Sequence, residues 1–334
     1  MTTTVIDVKT HSVIATLPVG DTDESFPVAF SPDGKLAYVI NISGNISVID
    51  VKTHSVIATL QVGGLPNRVA FTSDGKLAYV TNTAIANVSV IDVKTHSIIA
   101  TVQVGGVPND VNFTPDGKLA YVTNTDMPTI SVIDAKAHSV IVTVHVGVNP
   151  QNISFTPNGK LAYVTNFDDA TISVIDVKTH NVITTVRVGN GATDVAFTPN
   201  TELAYVANEG DANISVIDVK AHSVIATVQV ENQPKSVTFT PDGKLAYITN
   251  SGDATVSVID VKTHSVIHTV QVGEDPNDVA FTLDGKLAYV TNTGDATVSV
   301  IDVKTHCVIA TIQVGLFPCI VAFTPDGKIA YVTE

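Results

Sequence analysis

Apolar and polar residues alternate along this chain in short β-branched runs, separated by Gly, Asp, Asn and Lys. In residues 276 to 315, PNDVAFTLDGKLAYVTNTGDATVSVIDVKTHCVIATIQVG, the runs are VAFT, LAYVT, TVSVID and CVIATIQV. Alternation at a period of two, bounded by turn residues, predicts four short strands. The first turn, Asp284-Gly285-Lys286, puts Gly where a tight hairpin needs a left-handed backbone. The second runs from Asn292 to Ala296, and the third, Val303-Lys304-Thr305-His306, follows Asp302. No segment sustains an apolar period of 3.6, so no helix is predicted.

The same pattern recurs eight times. Tyr38, Tyr79, Tyr121, Tyr163, Tyr205, Tyr247, Tyr289 and Tyr331 are spaced 41 and then 42 apart throughout. Asp7, Asp50, Asp92, Asp134, Asp176, Asp218, Asp260 and Asp302 form a second register, spaced 43 and then 42. A repeat of this length holding four antiparallel strands predicts a propeller blade. The chain starts with a third and fourth strand (TTVID, SVIATL) and ends with a first and second (IVAFT, IAYVTE). The expected fold is therefore all-β, a single eight-bladed β-propeller over residues 1–334 with its eighth blade built from 318–334 plus 1–19. Closure of this kind removes the free sheet edges of an open ring. Eight units of 42 residues account for all 334 once a longer loop at 21–27, a shorter one after Asn41 and three turn residues omitted at closure are allowed for. No residues are left for a second domain, and a monomer is expected.

The segments LAYVTN (77–82), SVIDVKTHSVIATLQVG (47–63) and PNDVNFTPDGK (108–118) resemble the YVTN β-propeller repeat, and the resemblance covers essentially the whole chain. It implies a scaffold found in surface-layer-type proteins, periplasmic propellers and relatives of lactonase-like and streptogramin-lyase-like enzymes, often outside the cytoplasm, and no single chemistry. The third turn departs from the pattern, with VKTHS in place of TATNK-like residues. Eight blades also exceed the commoner seven, which weakens any transfer of a seven-bladed active site.

Composition narrows the partners. A chain 44% apolar and 15% charged, without Trp, builds a packed core. Thirty-two acidic against 18 basic residues give a net charge of -14, which repels a phosphate backbone and excludes nucleic acid. Apolar runs of about six residues fall far short of the ~20 a membrane helix needs. The N-terminus enters a strand pattern at once and shows no signal peptide, so the cell surface suggested by the resemblance stands without support from a leader. Cys307 and Cys319, in different strands, suggest neither a disulfide framework nor a zinc spacing.

Three regular sets of polar residues read as structural. His11, His54, His96, His138, His180, His222, His264 and His306 occupy the third turn, where His is among the residues that tolerate positive φ. They are expected to be exposed, to titrate at their ordinary pKa, and to lie too far apart for a metal with ~2 Å bonds. The eight Asp residues of SVID are expected to accept backbone N–H groups of their own turn. The Asn residues of YVTN are expected to open the following turn in the same way. No metal and no cofactor is assigned.

The informative positions are those where the repeats disagree. Residues leading into each first strand, at the mouth of the expected channel, differ in charge and size: Phe26 and Pro27 in blade 1, then the candidate ligand-binding set Asn67, Arg68, Asn109, Asp110, Asn152, Asp194, Lys235, Asn277, Asp278 and Cys319. Arg68 and Lys235 are the groups suited to an anion. A catalytic set would need a base there, yet His145 and His268, the only histidines outside the turns, belong to fourth strands. Asp110, Asp194 and Asp278 lie in non-adjacent blades. The sequence thus favours a non-enzymatic binding or scaffold propeller for a protein, glycan or small polar ligand. The alternatives are a lactonase-like or lyase-like enzyme acting at the mouth, and an amplified or engineered array with no selected ligand.

Overall fold

The computed structural model describes residues 2–20, 27–41 and 43–334. It is an eight-bladed β-propeller, all-β, with 32 strands among the described residues in eight four-stranded antiparallel sheets. Seven sheets keep chain order. The eighth combines Ser12–Pro18 and Thr2–Asp7 with Ile329–Thr333 and Val321–Phe323. There Thr3 pairs with Thr333 and Asp7 with Ile329, as the split repeat requires. Phe26 and most of the long loop at 21–27 lie outside the described residues. Two single-turn 3-10 helices not foreseen from the sequence, Thr83–Ile85 and Glu209–Asp211, replace hairpin tips, each ended by a left-handed Ala86 or Ala212.

The turns follow their chemistry. In the first hairpin the Asp side chain takes the hydroxyl of the preceding Thr and the backbone N–H of the following Lys, as Asp116 does with Thr114 Oγ1 (2.7 Å) and Lys118 N (3.1 Å). The Gly before Lys in this turn has φ 65 to 69° in seven blades, following Asp in six and Asn158 in blade 4. In blade 5 the β-branched Thr201 stands in its place at φ 63°, a conformation that strains it. In the third turn all eight histidines have φ between 48 and 56°, and the SVID carboxylate accepts the expected N–H, as Asp7 Oδ1 does from Thr10 N at 2.8 Å.

Two compact units make up the chain: residues 1–145 with 314–334, carrying blades 8, 1, 2 and 3, and residues 146–313, carrying blades 4 to 7. Within each, second and third strands are buried on both faces, and the core forms where one blade meets the next. In the second unit Tyr205, Ile214, Val216 and Val228 of blade 5 pack on Val237, Ala246, Ile248 and Ile259 of blade 6. In the first unit Tyr38, Ile46, Val48 and Val62 of blade 1 pack on Ala78, Val80 and Ile91 of blade 2.

The tyrosine of LAYVTN centres each such interface. Tyr205 meets the edge of Phe239 at 5.0 Å and Tyr38 that of Phe71 at 4.8 Å. Its hydroxyl reaches a histidine of the next blade: Tyr38 Oη to His96 Nδ1 (3.3 Å), Tyr79 to His138 (3.0 Å) and Tyr331 to His54 (2.8 Å) in the first unit. In the second, Tyr163 meets His222 (3.1 Å), Tyr205 meets His264 (2.9 Å) and Tyr247 meets His306 (3.0 Å). Burial holds these phenols well above their ordinary pKa, so they stay neutral. The expectation of exposed histidines is thus corrected. They are half-buried, and in the six pairs above the imidazole meets a hydrogen bond that a buried phenol demands.

The YVTN asparagines also differ from expectation. Asn82 is fully buried and donates from Nδ2 to Asn87 Oδ1 (2.8 Å) and Ser89 Oγ (2.9 Å) across its hairpin, and Ser89 in turn donates to Val62 O of the preceding blade (2.9 Å). The amide is a donor fixing a serine latch between blades, because its Cβ points into the interface and away from the turn.

Three consequences are measurable. Thr201→Gly should relieve strain and raise stability by about 0.5–1 kcal/mol in a urea melt, after Gly's unfolded-state entropy is subtracted. The cycle Tyr205→Phe, His264→Asn should give a coupling energy of about 0.5–1.5 kcal/mol, whereas additive singles would mean the latch is idle. Asp33, Asp74, Asp116 and Asp284 sit at a pKa of about 2, held there mainly by Ser31 for the first and by the Lys two residues on for the others. Depressed carboxylates stabilise above their unfolded value of about 3.9 and lose that contribution as pH falls towards 2. With side chains more than half exposed, the effect of each is small. Urea midpoints should therefore be level from pH 8 to 5 in this respect and fall between 4 and 2, less steeply in Asp116→Asn.

Candidate functional site

In blades 2 to 7 the variable residues occupy a β-bulge, whereas Cys319 of blade 8 precedes a first strand that begins at Val321. In blade 2 Pro66 pairs with Asn82 and Val69 with Val80, so Asn67 and Arg68 together oppose the single Thr81. The same skip occurs at Pro108/Val111, Pro150/Val-type Ile153, Pro234/Val237 and Pro276/Val279. A bulge re-aims side chains at the end of a strand. The threonine of YVTN stabilises it by accepting the displaced N–H: Arg68 N to Thr81 Oγ1 (3.0 Å), Asp110 N to Thr123 (2.9 Å), Asn152 N to Thr165 (2.9 Å), Ser236 N to Thr249 (3.1 Å) and Asp278 N to Thr291 (3.1 Å). Blade 5 has Ala207 at the threonine position, and its register resumes one residue earlier, at Asp194. This role of Thr escaped the sequence reading, although its recurrence beside the variable pair was the available signal.

In the first unit the bulges of blades 2 and 3 are joined. Asn67 Nδ2 donates to Asn109 O (3.1 Å) and Oδ1 (2.7 Å). Asp110, 9% exposed, is turned inward and accepts Val111 N at 2.9 Å. Cys319 is half-buried and its backbone N donates to Thr333 O. The half-buried Arg68 guanidinium has no ion-pair partner among the described residues. Nearby loop tips of this unit are apolar, with Leu65, Ile85 and Met127 about half exposed.

In the second unit links between bulges recur. Thr165 Oγ1 donates to Thr193 O (3.2 Å), Thr193 Oγ1 to Lys235 O (3.3 Å) and Thr249 Oγ1 to Asn277 O (3.0 Å). Asp194 Oδ2 accepts Val237 N from the next blade at 2.9 Å. Lys235 Nζ pairs with Asp275 Oδ1 at 2.9 Å. Asn152 Oδ1 takes a long bond from Ser154 Oγ (3.5 Å), and Asn277 and Asp278 are half-buried. Of the two cations suited to an anion, Lys235 therefore has a carboxylate already, and Arg68 has none among the described residues.

The other end of the blades carries clefts. One of about 600 Å³ between blades 2 and 3 is lined by Lys76, Lys118 and Lys136 with Asp74, Asp92 and Asp134. Two more, of about 750 and 630 Å³, flank blade 5 and share Glu202, which replaces the usual Lys. Their charges are mixed and their turns nearly uniform. Among the described residues no group of three or more His, Cys, Asp or Glu is placed to hold a metal. No helix among them is long and apolar enough to cross a membrane.

Solved structures share the fold. The dihydro-heme d1 dehydrogenase NirN in complex with DHE superposes with a TM-score of 0.82 at 17% identity, over 94% of this chain and 73% of that one. Hydrazine synthase of Kuenenia stuttgartiensis gives 0.69 at 23% identity, over 85% of this chain and 97% of that one. A functionally unknown protein from Desulfotomaculum acetoxidans gives 0.68 at 17% identity, over 85% and 99%. At these identities the likeness is one of fold. No curated protein matches the chain. The family model described as cytochrome D1 heme domain matches residues 2–111, 79–200 and 198–316, which together span most of the sequence. The chain belongs to the cytochrome D1 heme domain family.

Proposed function

We propose that this chain is a binding propeller of the YVTN type within that family, taking a small anionic or polar ligand at the bulged first-strand starts, with Arg68 as the principal contact. The observation that carries this reading is the contrast between committed and uncommitted groups. Strand interiors, turns and latches repeat with little change, whereas the bulges differ from blade to blade. Among the cations at those bulges, Arg68 alone has no carboxylate partner among the described residues, and a guanidinium offers paired donors to a carboxylate or phosphate. Asn67 and Asn109, bridged beside it, add amide groups, and the half-exposed Leu65 offers an apolar edge.

The family's name implies a heme, and the residues at this end do not fit one held through an imidazole. Protein ligands to heme iron are His, Cys, Met or Tyr. The eight turn histidines sit at the opposite end, six of them on a tyrosine hydroxyl in the contacts given above. His145 and His268 lie on fourth strands. All eight tyrosines are fully buried. The sulfur donors Met127 and Cys319 belong to blades 3 and 8, and Cys319 has Phe317, Pro318 and Ile320 as sequence neighbours. No step is derived through that group.

A lactonase-like or lyase-like activity needs a carboxylate or imidazole free to move a proton. Asp110 and Asp194 are instead engaged by backbone N–H groups. NMR titration of the full chain with acetate, a uronate and inorganic phosphate tests the binding reading. Shifts should centre on Asn67, Arg68 and Asn109, and Arg68→Glu should weaken binding about tenfold or more, the loss of one charge-assisted contact. Shifts centred on the Lys-Thr-His turns, or affinity unchanged in Arg68→Glu, would place the ligand elsewhere. No shift with any of the three would favour an array without a ligand of this class.

A further inference from the structure

One blade interface differs from the rest in its chemistry. At the fourth position of the fourth strand, blade 6 carries His268, where the others carry Ala15, Ala58, Ala100, Val142, Thr184, Ala226 and Ala310. This side chain points towards blade 7, and its imidazole centre lies 5.4 Å from that of His306, with the planes 32° apart. His306 is half-buried, fixed in its left-handed turn at φ 55° and tied through Nδ1 to Tyr247 Oη at 3.0 Å. His268 is exposed. The blade 5–6 interface has the same tyrosine–histidine pair, Tyr205 and His264, with Ala226 where the second imidazole would stand. It is a built-in control within the same unit.

We propose that His268 and His306 form a two-imidazole site for a borderline divalent metal, Zn²⁺ or Cu²⁺, that clamps blade 6 to blade 7, with water completing the coordination. A metal about 2.0–2.1 Å from one nitrogen of each imidazole leaves the ring centres roughly 5–6 Å apart, which matches the pair as it stands. With Nδ1 engaged by Tyr247, His306 has Nε2 for the metal, and Nδ1–H donating to the phenol oxygen is the outer contact that orients a ligating histidine. Burial first, and the neighbouring His268 second, lower the His306 pKa. Cys307 adjoins the site in sequence, but its Sγ is directed to Thr305 O at 3.5 Å and is not counted as a ligand. Nitrogen donors select Zn²⁺, Ni²⁺ and Cu²⁺ over Mg²⁺ and Ca²⁺, with Cu²⁺ the tightest.

Because the ligands come from two blades, binding stabilises their contact, and the melting temperature reports occupancy. The test is calorimetric titration of the metal-stripped full chain with Zn²⁺ and with Cu²⁺ at pH 7.5, alongside thermal melts. One equivalent should bind, tighter for Cu²⁺, and Zn²⁺ should raise the melting temperature. His268→Ala, which installs the residue five other blades carry, should weaken binding at least tenfold and abolish the thermal shift. Ala226→His should create a second equivalent at the His264 interface. Cys307→Ser should leave affinity unchanged, and loss of binding there would overturn the ligand assignment. Equal binding by the parent chain and His268→Ala, or no added equivalent in a folded Ala226→His, would overturn the site and leave a stacked imidazole pair.

Discussion

A phenol removed from water has to keep a hydrogen bond, and that requirement sets the form of each blade interface described here. The tyrosine of LAYVTN contributes the largest fully buried side chain of its blade, and its hydroxyl emerges where only the next blade can answer it. The answer is an imidazole nitrogen held in a left-handed turn, which fixes the histidine backbone. That backbone is in turn held by the SVID carboxylate at the start of the turn. Phe71 and its counterparts fill the edge-on contact beside the phenol. Four features of the repeat, Tyr, Phe, His and Asp, are therefore parts of one constraint, and the near-identity of the blades reflects it.

Much of the fold was legible because its signals are local. Alternation marked the strands, Asp-Gly-Lys marked a turn, and eightfold recurrence counted the blades. The histidine conformation was legible for the same reason, since few non-glycine residues accept positive φ. What escaped was whatever passes between repeats. Tyr38 and His96 are 58 residues apart, and no pattern within a single unit pairs them. The asparagine amide was misassigned because Asn before a turn usually caps it, whereas here burial turns its Nδ2 towards Ser89. The candidate positions were found through disagreement among the repeats, but their bulged geometry and the capture of Lys235 by Asp275 depend on register and on a neighbouring loop.

The two units also solve the same architectural problem with different surfaces. In the first, loop tips such as Leu65, Met127 and Phe317 expose apolar groups. In the second, the corresponding tips carry Asn232, Glu274 and Asp275, and Asp253 and Asp295 fold back onto backbone N–H groups of Asn232 and Glu274. A repeat array in which internal contacts use up the regular residues leaves function to the irregular ones. Chemical difference among the blades is thus concentrated in the connections, and the strands are the shared frame that displays them.

The pairing of Thr2–Asp7 with Ile329–Thr333 bears on how the chain is made. Thr2–Asp7 and Ser12–Pro18, made before the rest of the ring, form a hairpin too small to be stable alone. Their permanent neighbour is synthesised more than 300 residues later. At elongation rates of about 5–20 residues per second that wait is roughly 15–60 s. Throughout it the nascent chain presents an unsatisfied β-edge to other nascent copies emerging nearby. Co-translational crowding, and any holdase that shields the Thr2–Asp7 and Ser12–Pro18 hairpin, then bears on the yield of folded protein more than the final stability does.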